Sequence, residues 1–221
     1  MNRRSTFAGM LLALVLATGT GVAYTGNAVA QDPACWTETP TTTSGYQQWT
    51  TAPAMVIDPA KTYTATFQTS SGNVVFDLYA DRAPTTVNSF VCLARSGYYD
   101  FTLFHRVISG FMIQSGDPTG TGTGGPGYAF NDELPGEDLN YDIGTLAMAN
   151  SGPNTNGSQF FVVQGENGMS LPKQYAIFGK VASGPEIIDL IAATPVGPSA
   201  SGEMSAPMAS VGIISITITE A

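Results

Sequence analysis

Cations are scarce in this chain: eight Lys and Arg stand against 17 Asp and Glu in 221 residues, a formal net charge of −9. That balance argues against a nucleic-acid binder, whose phosphates are neutralised by clustered Lys and Arg, and against an anionic membrane surface. Acidity of this kind aids solubility. One histidine, His105, and two cysteines, Cys35 and Cys92, cannot supply the usual four-ligand zinc clusters. No G-x-S-x-G elbow is present, so a hydrolase using His105 as its base lacks a setting for the nucleophile. His105 sits among aromatic and aliphatic residues in a strand pattern and reads as a packed side chain. "GTGTGG" (120–125) is followed by no Lys-Ser/Thr and reads as a turn rather than a phosphate loop. Asp132 and Glu133 read as a solvated turn.

Long apolar runs are also missing. The one candidate, "FAGMLLALVLA" (7–17), is shorter than the roughly 20 residues a bilayer requires. Arg3 and Arg4 precede it, and "AVA" (28–30) places small residues before Gln31. This is the pattern of a secretory signal peptide over 1–30, cleaved near Ala30. The mature chain is then expected outside the cytoplasm: secreted, periplasmic or held in the envelope. In that setting Cys35 and Cys92 could pair. The alternative is that Cys92, at a helical position, is a buried free thiol. Both readings stand at this point.

Residues 31–55 are rich in Thr and Pro without a sustained period and read as an extension or strap, docked if at all through Trp36 or Trp49. A single domain is expected over 56–221. "TYTATFQ" (62–68) alternates Tyr63, Ala65 and Phe67 with polar residues and predicts a strand. "VVFDLYA" predicts its return. In "APTTVNSFVCLARSG" (83–97), Pro84 suits a first helical position, and Val87, Phe90, Val91 and Ala94 fall on one helical face. Short strands are expected around 104–108, 111–115, 128–130, 145–149, 160–163 and 176–181, a second helix at 184–193, and a last strand at 213–219. Many short strands with two helices predict a mainly β protein, a closed barrel that hides its sheet edges.

Two stretches concentrate the remaining chemistry. "FHRVISGFMIQSGD" (104–117) places Arg106, one of few cations, in an apolar run. "NTNGSQFFV" (154–162) sets Gln159 beside Phe160 and Phe161. Together with "GTGG" (122–125), "LAMAN" (146–150), "FGKV" (178–181) and the helical "DRAPTTVNSFVCLA" (81–94), they closely resemble the cyclophilin family of peptidyl-prolyl cis–trans isomerases, over roughly residues 57–219. The resemblance implies a closed eight-stranded antiparallel β-barrel capped by two α-helices. It implies rotation of X–Pro bonds in unfolded or newly exported proteins, with no cofactor and no metal.

Residue by residue, the resemblance makes Arg106 the catalytic cation. Phe111, Met112, Phe161 and Leu171 would form a proline pocket. Gln114 and Gln159 would hold the substrate backbone. Ala149 and Asn150 would line the peptide groove, Asn150 through its main chain, and His105 would flank the site. The partners implied are Pro-containing peptide segments, met by a monomer. Ser170 stands where many members carry an aromatic residue that helps bind cyclosporin, and Tyr175 where many carry a histidine. Reduced cyclosporin affinity is expected. Rival readings are a peptide-binding module without turnover and an envelope protein tethered by its Thr/Pro-rich segment.

Overall fold

The computed structural model describes residues 35–43 and 45–221; the expected signal peptide lies outside the described residues. In chain order the elements are β1 (Thr41–Thr43), β2 (Tyr46–Gln48), β3 (Tyr63–Thr69), β4 (Gly72–Leu78), α1 (Pro84–Arg95), β5 (Arg106–Ile108), β6 (Met112–Ser115), β7 (Thr145–Met148), β8 (Phe160–Val163), α2 (Glu166–Met169), β9 (Ile177–Ser183), α3 (Pro185–Ala192), β10 (Val196–Pro198), β11 (Met204–Pro207) and β12 (Ile213–Glu220). Eight strands form one curled antiparallel sheet in the order β12-β3-β4-β9-β7-β8-β6-β5. The hairpins β1–β2 and β10–β11 lie outside it.

Pleat alternation explains the core. In β3 the residues Tyr63, Ala65 and Phe67 are buried and their neighbours are not, as a sheet solvated on one face requires. The inner face carries Phe67, Phe76, Phe160 and Phe178, and Phe90 of α1 packs down among them. Phe90 stands 5.2 Å from the Phe178 ring and 5.8 Å, edge-on, from Phe160, within the range where aromatic pairs attract. In contrast, β7 and β8 are buried along their whole length. Their inward residues Leu146, Met148, Phe160 and Val162 join the main core, while Ala147, Phe161 and Val163 face a second apolar cluster with Met112, Tyr141 and Ile177.

Three expectations need correction. The barrel is not closed by a strand ladder. Between β5 and β12 there is only an isolated bridge, Leu103–Gly212, with Phe104 N–H donating to Val211 (3.0 Å) and Ile213 N–H to Thr102 (2.8 Å). β5 is three residues long, and the β11 side of hairpin β10–β11 lies against it. A hairpin therefore covers an edge that a ladder would otherwise pair. No strand forms at 128–130; Phe130 makes one bridge to Asn156. Asp132 and Glu133 are not a solvated turn. Asp132 accepts from Asn154 N–H (2.8 Å) and Asn156 Nδ2 (2.8 Å). Glu133 accepts from the N–H groups of Thr85 (2.9 Å) and Thr86 (2.8 Å), satisfying orphan donors at the start of α1.

The helix α1 is buried on nearly every side, not on one stripe, because Cys35 and the segment 54–57 cover part of what the sheet does not. Asn88 accepts from Val56 N–H (2.9 Å) and donates to the Ala54 carbonyl (2.9 Å). Cys92 is bonded to Cys35, which decides between the two readings of the cysteines. Trp36 stacks on Trp49 at 4.2 Å, and Trp49 N–H donates to the Pro126 carbonyl (2.8 Å). Gly127 permits this docking: a Cβ there would lie 2.5 Å from the Trp49 carbonyl oxygen, and its φ is +91°. The bridge closes a 57-residue separation, which chain entropy values at about 4 kcal/mol. Cys35→Ser is expected to lower unfolding free energy by about 2–4 kcal/mol in denaturant titration. An unchanged midpoint would show that the bridge adds nothing to stability.

Candidate active site

The outer face of β5, β6 and β8 carries the site, and register assembles it. Arg106 pairs with Gln114, and Gln114 with Phe161; two residues along, Ile108 pairs with Met112, and Met112 with Val163. Residues opposite one another in a ladder share a face, so the cation, the amide and the aromatic ring form one cross-strand row. The pleat that sends Ile113 and Phe160 inward sends Met112, Gln114 and Phe161 outward.

Above that row is a cavity of about 170 Å³. Phe111, Met112, Phe161 and Leu171 give it apolar walls, Arg106 and Gln114 a polar edge, and Ala149 and Asn150 its opposite side. Tyr175 completes the rim, edge-on to Phe161 with centroids 5.4 Å apart. The Tyr175 backbone is pinned, since its N–H donates to Tyr141 Oη (3.0 Å) and its carbonyl accepts from the same hydroxyl (2.9 Å). Asn150 uses its side chain for the loop, donating to the Gln174 carbonyl (2.9 Å) and accepting from Gly152 N–H (3.2 Å). Ser170 lies at the C-terminal end of α2 and does not line the cavity.

A larger cleft of about 670 Å³ adjoins this cavity and shares Gln114, Ala149 and Asn150 with it. Gln159 lines the cleft and not the small cavity. Its far wall is the loop 122–127, joined by Gln48 from the strap. That loop is built around Asp117, whose carboxylate accepts from the N–H groups of Thr119 (2.7 Å), Gly122 (2.7 Å) and Gly124 (3.0 Å). A Cβ on Gly124 would fall 2.1 Å from Asp117 Oδ1, which accounts for a glycine there.

A polar relay sets the side chains. The Gly122 and Gly124 carbonyls can only accept, so Gln159 turns its Nε2 toward them (3.0 and 2.9 Å). Gln159 Oε1 then faces Gln114 Nε2 (3.0 Å), and Gln114 Oε1 is left to accept from Arg106 Nη1 (3.5 Å). Neither amide can flip without opposing donor to donor. Arg106 Nη1 also meets Met112 Sδ at 3.7 Å, and the guanidinium carbon is 5.9 Å from the Phe111 ring centre.

The sequence reading missed one partner of this cation. Glu203, in the turn between β10 and β11, accepts from Arg106 Nε (2.6 Å) and Nη2 (2.8 Å). The hydrogen bond from Arg106 pushes the Glu203 carboxyl down to about 2, with the Ser205 hydroxyl adding to it against partial burial. Ninety-seven residues separate the two, and a lone Glu in a Ser/Gly-rich turn carries no local signal of such a bond. His105 lines neither cavity. It lies beside Gly122, with both ring nitrogens buried.

Comparison with known proteins decides the family. The model for "cyclophilin type peptidyl-prolyl cis-trans isomerase" matches residues 64–218. This chain is a cyclophilin. Its activity is peptidyl-prolyl cis–trans isomerisation. It is 44% identical over 156 residues to the peptidyl-prolyl cis-trans isomerase CYP18-1 of Arabidopsis thaliana, covering 69% of this cyclophilin and 94% of the relative. It is also 44% identical over 179 residues to peptidyl-prolyl cis-trans isomerase A of Mycobacterium tuberculosis, covering 73% and 94%. Among solved structures, a cyclophilin of Cryptosporidium parvum superposes with a TM-score of 0.65 at 38% identity, covering 72% of this chain and 98% of that one. The same protein solved in the presence of the dipeptide Ala-Pro gives 0.64 at 38% identity, covering 71% and 98%.

Burial holds the His105 imidazole below its ordinary value of 6.5; Asp117 opposes this shift and Arg106 adds to it. The native state therefore resists protonation, and the unfolded chain binds the proton more readily. Stability contributed at neutral pH is expected to fall as pH drops below about 6.5. Urea midpoints measured from pH 8 to pH 5 should fall less in His105→Phe than in wild type. Parallel pH profiles would sink this account.

Proposed function

We propose that this cyclophilin works outside the cytoplasm as a monomer, turning X–Pro bonds in unfolded or newly exported chains, with Arg106 as the catalytic cation. The observation that carries the assignment is the position of Arg106 Nη1. It stands at the polar edge of an apolar cavity walled by Phe111, Met112 and Phe161. The leader pattern at 1–30 and the Cys35–Cys92 bridge support an oxidising location. Among the described residues no helix is long and apolar enough to cross a membrane. The Cryptosporidium parvum relative solved with Ala-Pro supports a proline-containing peptide as the ligand.

Amide resonance sets a barrier of about 18–20 kcal/mol against rotation. No bond is made or broken, so the protein has only to favour the twisted form. Twisting localises the lone pair on the prolyl nitrogen, and a guanidinium beside it then donates a stronger hydrogen bond than it can to the planar amide. Such a difference between transition state and ground state is what accelerates a step. Arginine suits this because it stays charged and presents rigid donors.

One charge-assisted bond contributes roughly 1.5–3 kcal/mol, whereas a 10⁶-fold acceleration requires about 8. The rest falls to positioning: the ring is gripped among Phe111, Met112, Phe161 and Leu171 while the groove side, Ala149 and Asn150, holds the flanking backbone. The apolar walls also disfavour the more polar planar amide. In this free state Gln114 and Gln159 bond each other and Gln159 Nε2 donates both hydrogens to the Gly122 and Gly124 carbonyls, so a peptide backbone would take up the second Gln114 Nε2 hydrogen and the remaining lone pairs.

Arg106→Ala is expected to lower kcat/KM about 10- to 150-fold with an unchanged unfolding midpoint. A protease-coupled or NMR exchange assay on a Pro-containing peptide measures it. Wild-type rates in the variant would remove Arg106 from the mechanism. In the same assay, cyclosporin is expected to inhibit weakly. Ser170→Trp, which restores an aromatic residue, should strengthen that inhibition; equal potency against both proteins would count against the role given to Ser170.

A further inference from the structure

The pair between Arg106 and Glu203 involves only part of the cation. Glu203 takes Nε and Nη2 in a bidentate grip, at 2.6 and 2.8 Å. Nη1, the nitrogen left out, is the one that meets Gln114 Oε1 and Met112 Sδ at the cavity's edge. A carboxylate that competed with the substrate would occupy the donors facing the cavity, and this one occupies the opposite side. Both groups are about one-third exposed. An ordinary exposed ion pair contributes little to stability, so the geometry has to be explained by what it does to Arg106.

What it does is remove rotational freedom. β5 is an edge strand, and an arginine projecting from it has several rotatable bonds. A fork-to-fork carboxylate fixes the guanidinium plane as well as its distance. The hairpin that presents Glu203 is itself closed by main-chain bonds: Ser199 N–H donates to the Glu203 carbonyl (2.7 Å) and Gly202 N–H to that of Ser199 (2.9 Å). The acid thus arrives on a turn whose shape does not depend on its side chain.

We propose that Glu203 is a positioning residue for the isomerase reaction: its carboxylate holds Nε and Nη2 of Arg106 from behind and aims Nη1 into the proline cavity. The inference rests on the functional reading above. Because the aim matters where charge develops on the prolyl nitrogen, its loss acts on kcat and not on substrate binding.

The test is Glu203→Gln, which keeps the turn's main-chain bonds and the side chain's shape but sets an amide N–H₂ against a guanidinium donor. Turnover is measured by NMR exchange on a Pro-containing peptide, and the Arg106 Nε–H resonance is followed in ¹⁵N-labelled protein. The expected result is a kcat about 5- to 10-fold lower with KM within twofold. The Nε–H signal should be discrete in wild type and averaged toward a free guanidinium in the variant. Unchanged kcat, a raised kcat, or an Nε–H signal that does not move would each overturn the inference while leaving the isomerase reading intact. A wild-type protein that fails to speed exchange would overturn that reading and this inference with it.

Discussion

Everything at the site depends on the register of three short strands. Arg106, Gln114 and Phe161 lie opposite one another across β5, β6 and β8, and the pleat turns all three to the outer face. A slip of one residue would send Ile113 and Phe160 outward and bury a guanidinium and an amide in an aromatic core. That core resists such a slip: Phe160 contacts Phe67, Phe90 and Tyr99 on the inner side. The packing that stabilises the sheet therefore also fixes which face the chemistry occupies.

From that row the constraint spreads outward through polar groups. The carbonyls of the loop around Asp117 orient Gln159, Gln159 orients Gln114, and Gln114 meets Arg106. Glu203 grips the same cation from the other side. A side chain on an edge strand is thereby held between two elements far apart in sequence. Apolar packing supplies the slot and hydrogen bonds supply its orientation, and neither alone would place a cation beside a proline ring.

The strands β3 and β12 and the two longer helices are legible in the sequence because local period encodes them: alternation in "TYTATFQ", and a helical face at Val87, Phe90, Val91 and Ala94. Eight of the nominated residues meet at the small cavity because their motifs are contiguous words. Long-range partners are not legible. Glu203 reaching Arg106, Glu133 capping α1 and Cys35 reaching Cys92 each join residues 47 to 97 positions apart. The hairpins β1–β2 and β10–β11 are three or four residues per strand, too short for alternation to register. Strand count predicts a closed barrel but says nothing about whether β5 is long enough to meet β12.

The strap has a further bearing on ligand encounter. Gln48 forms part of the wide cleft's wall, and its segment is fastened by a covalent bond at Cys35, by stacked indoles and by the Pro126 carbonyl. A wall made from a loose arm would have to be immobilised at each arrival of a peptide, weakening every association by that loss of freedom. Here the disorder is surrendered a single time, when the molecule matures, and each later visitor meets a surface already in place.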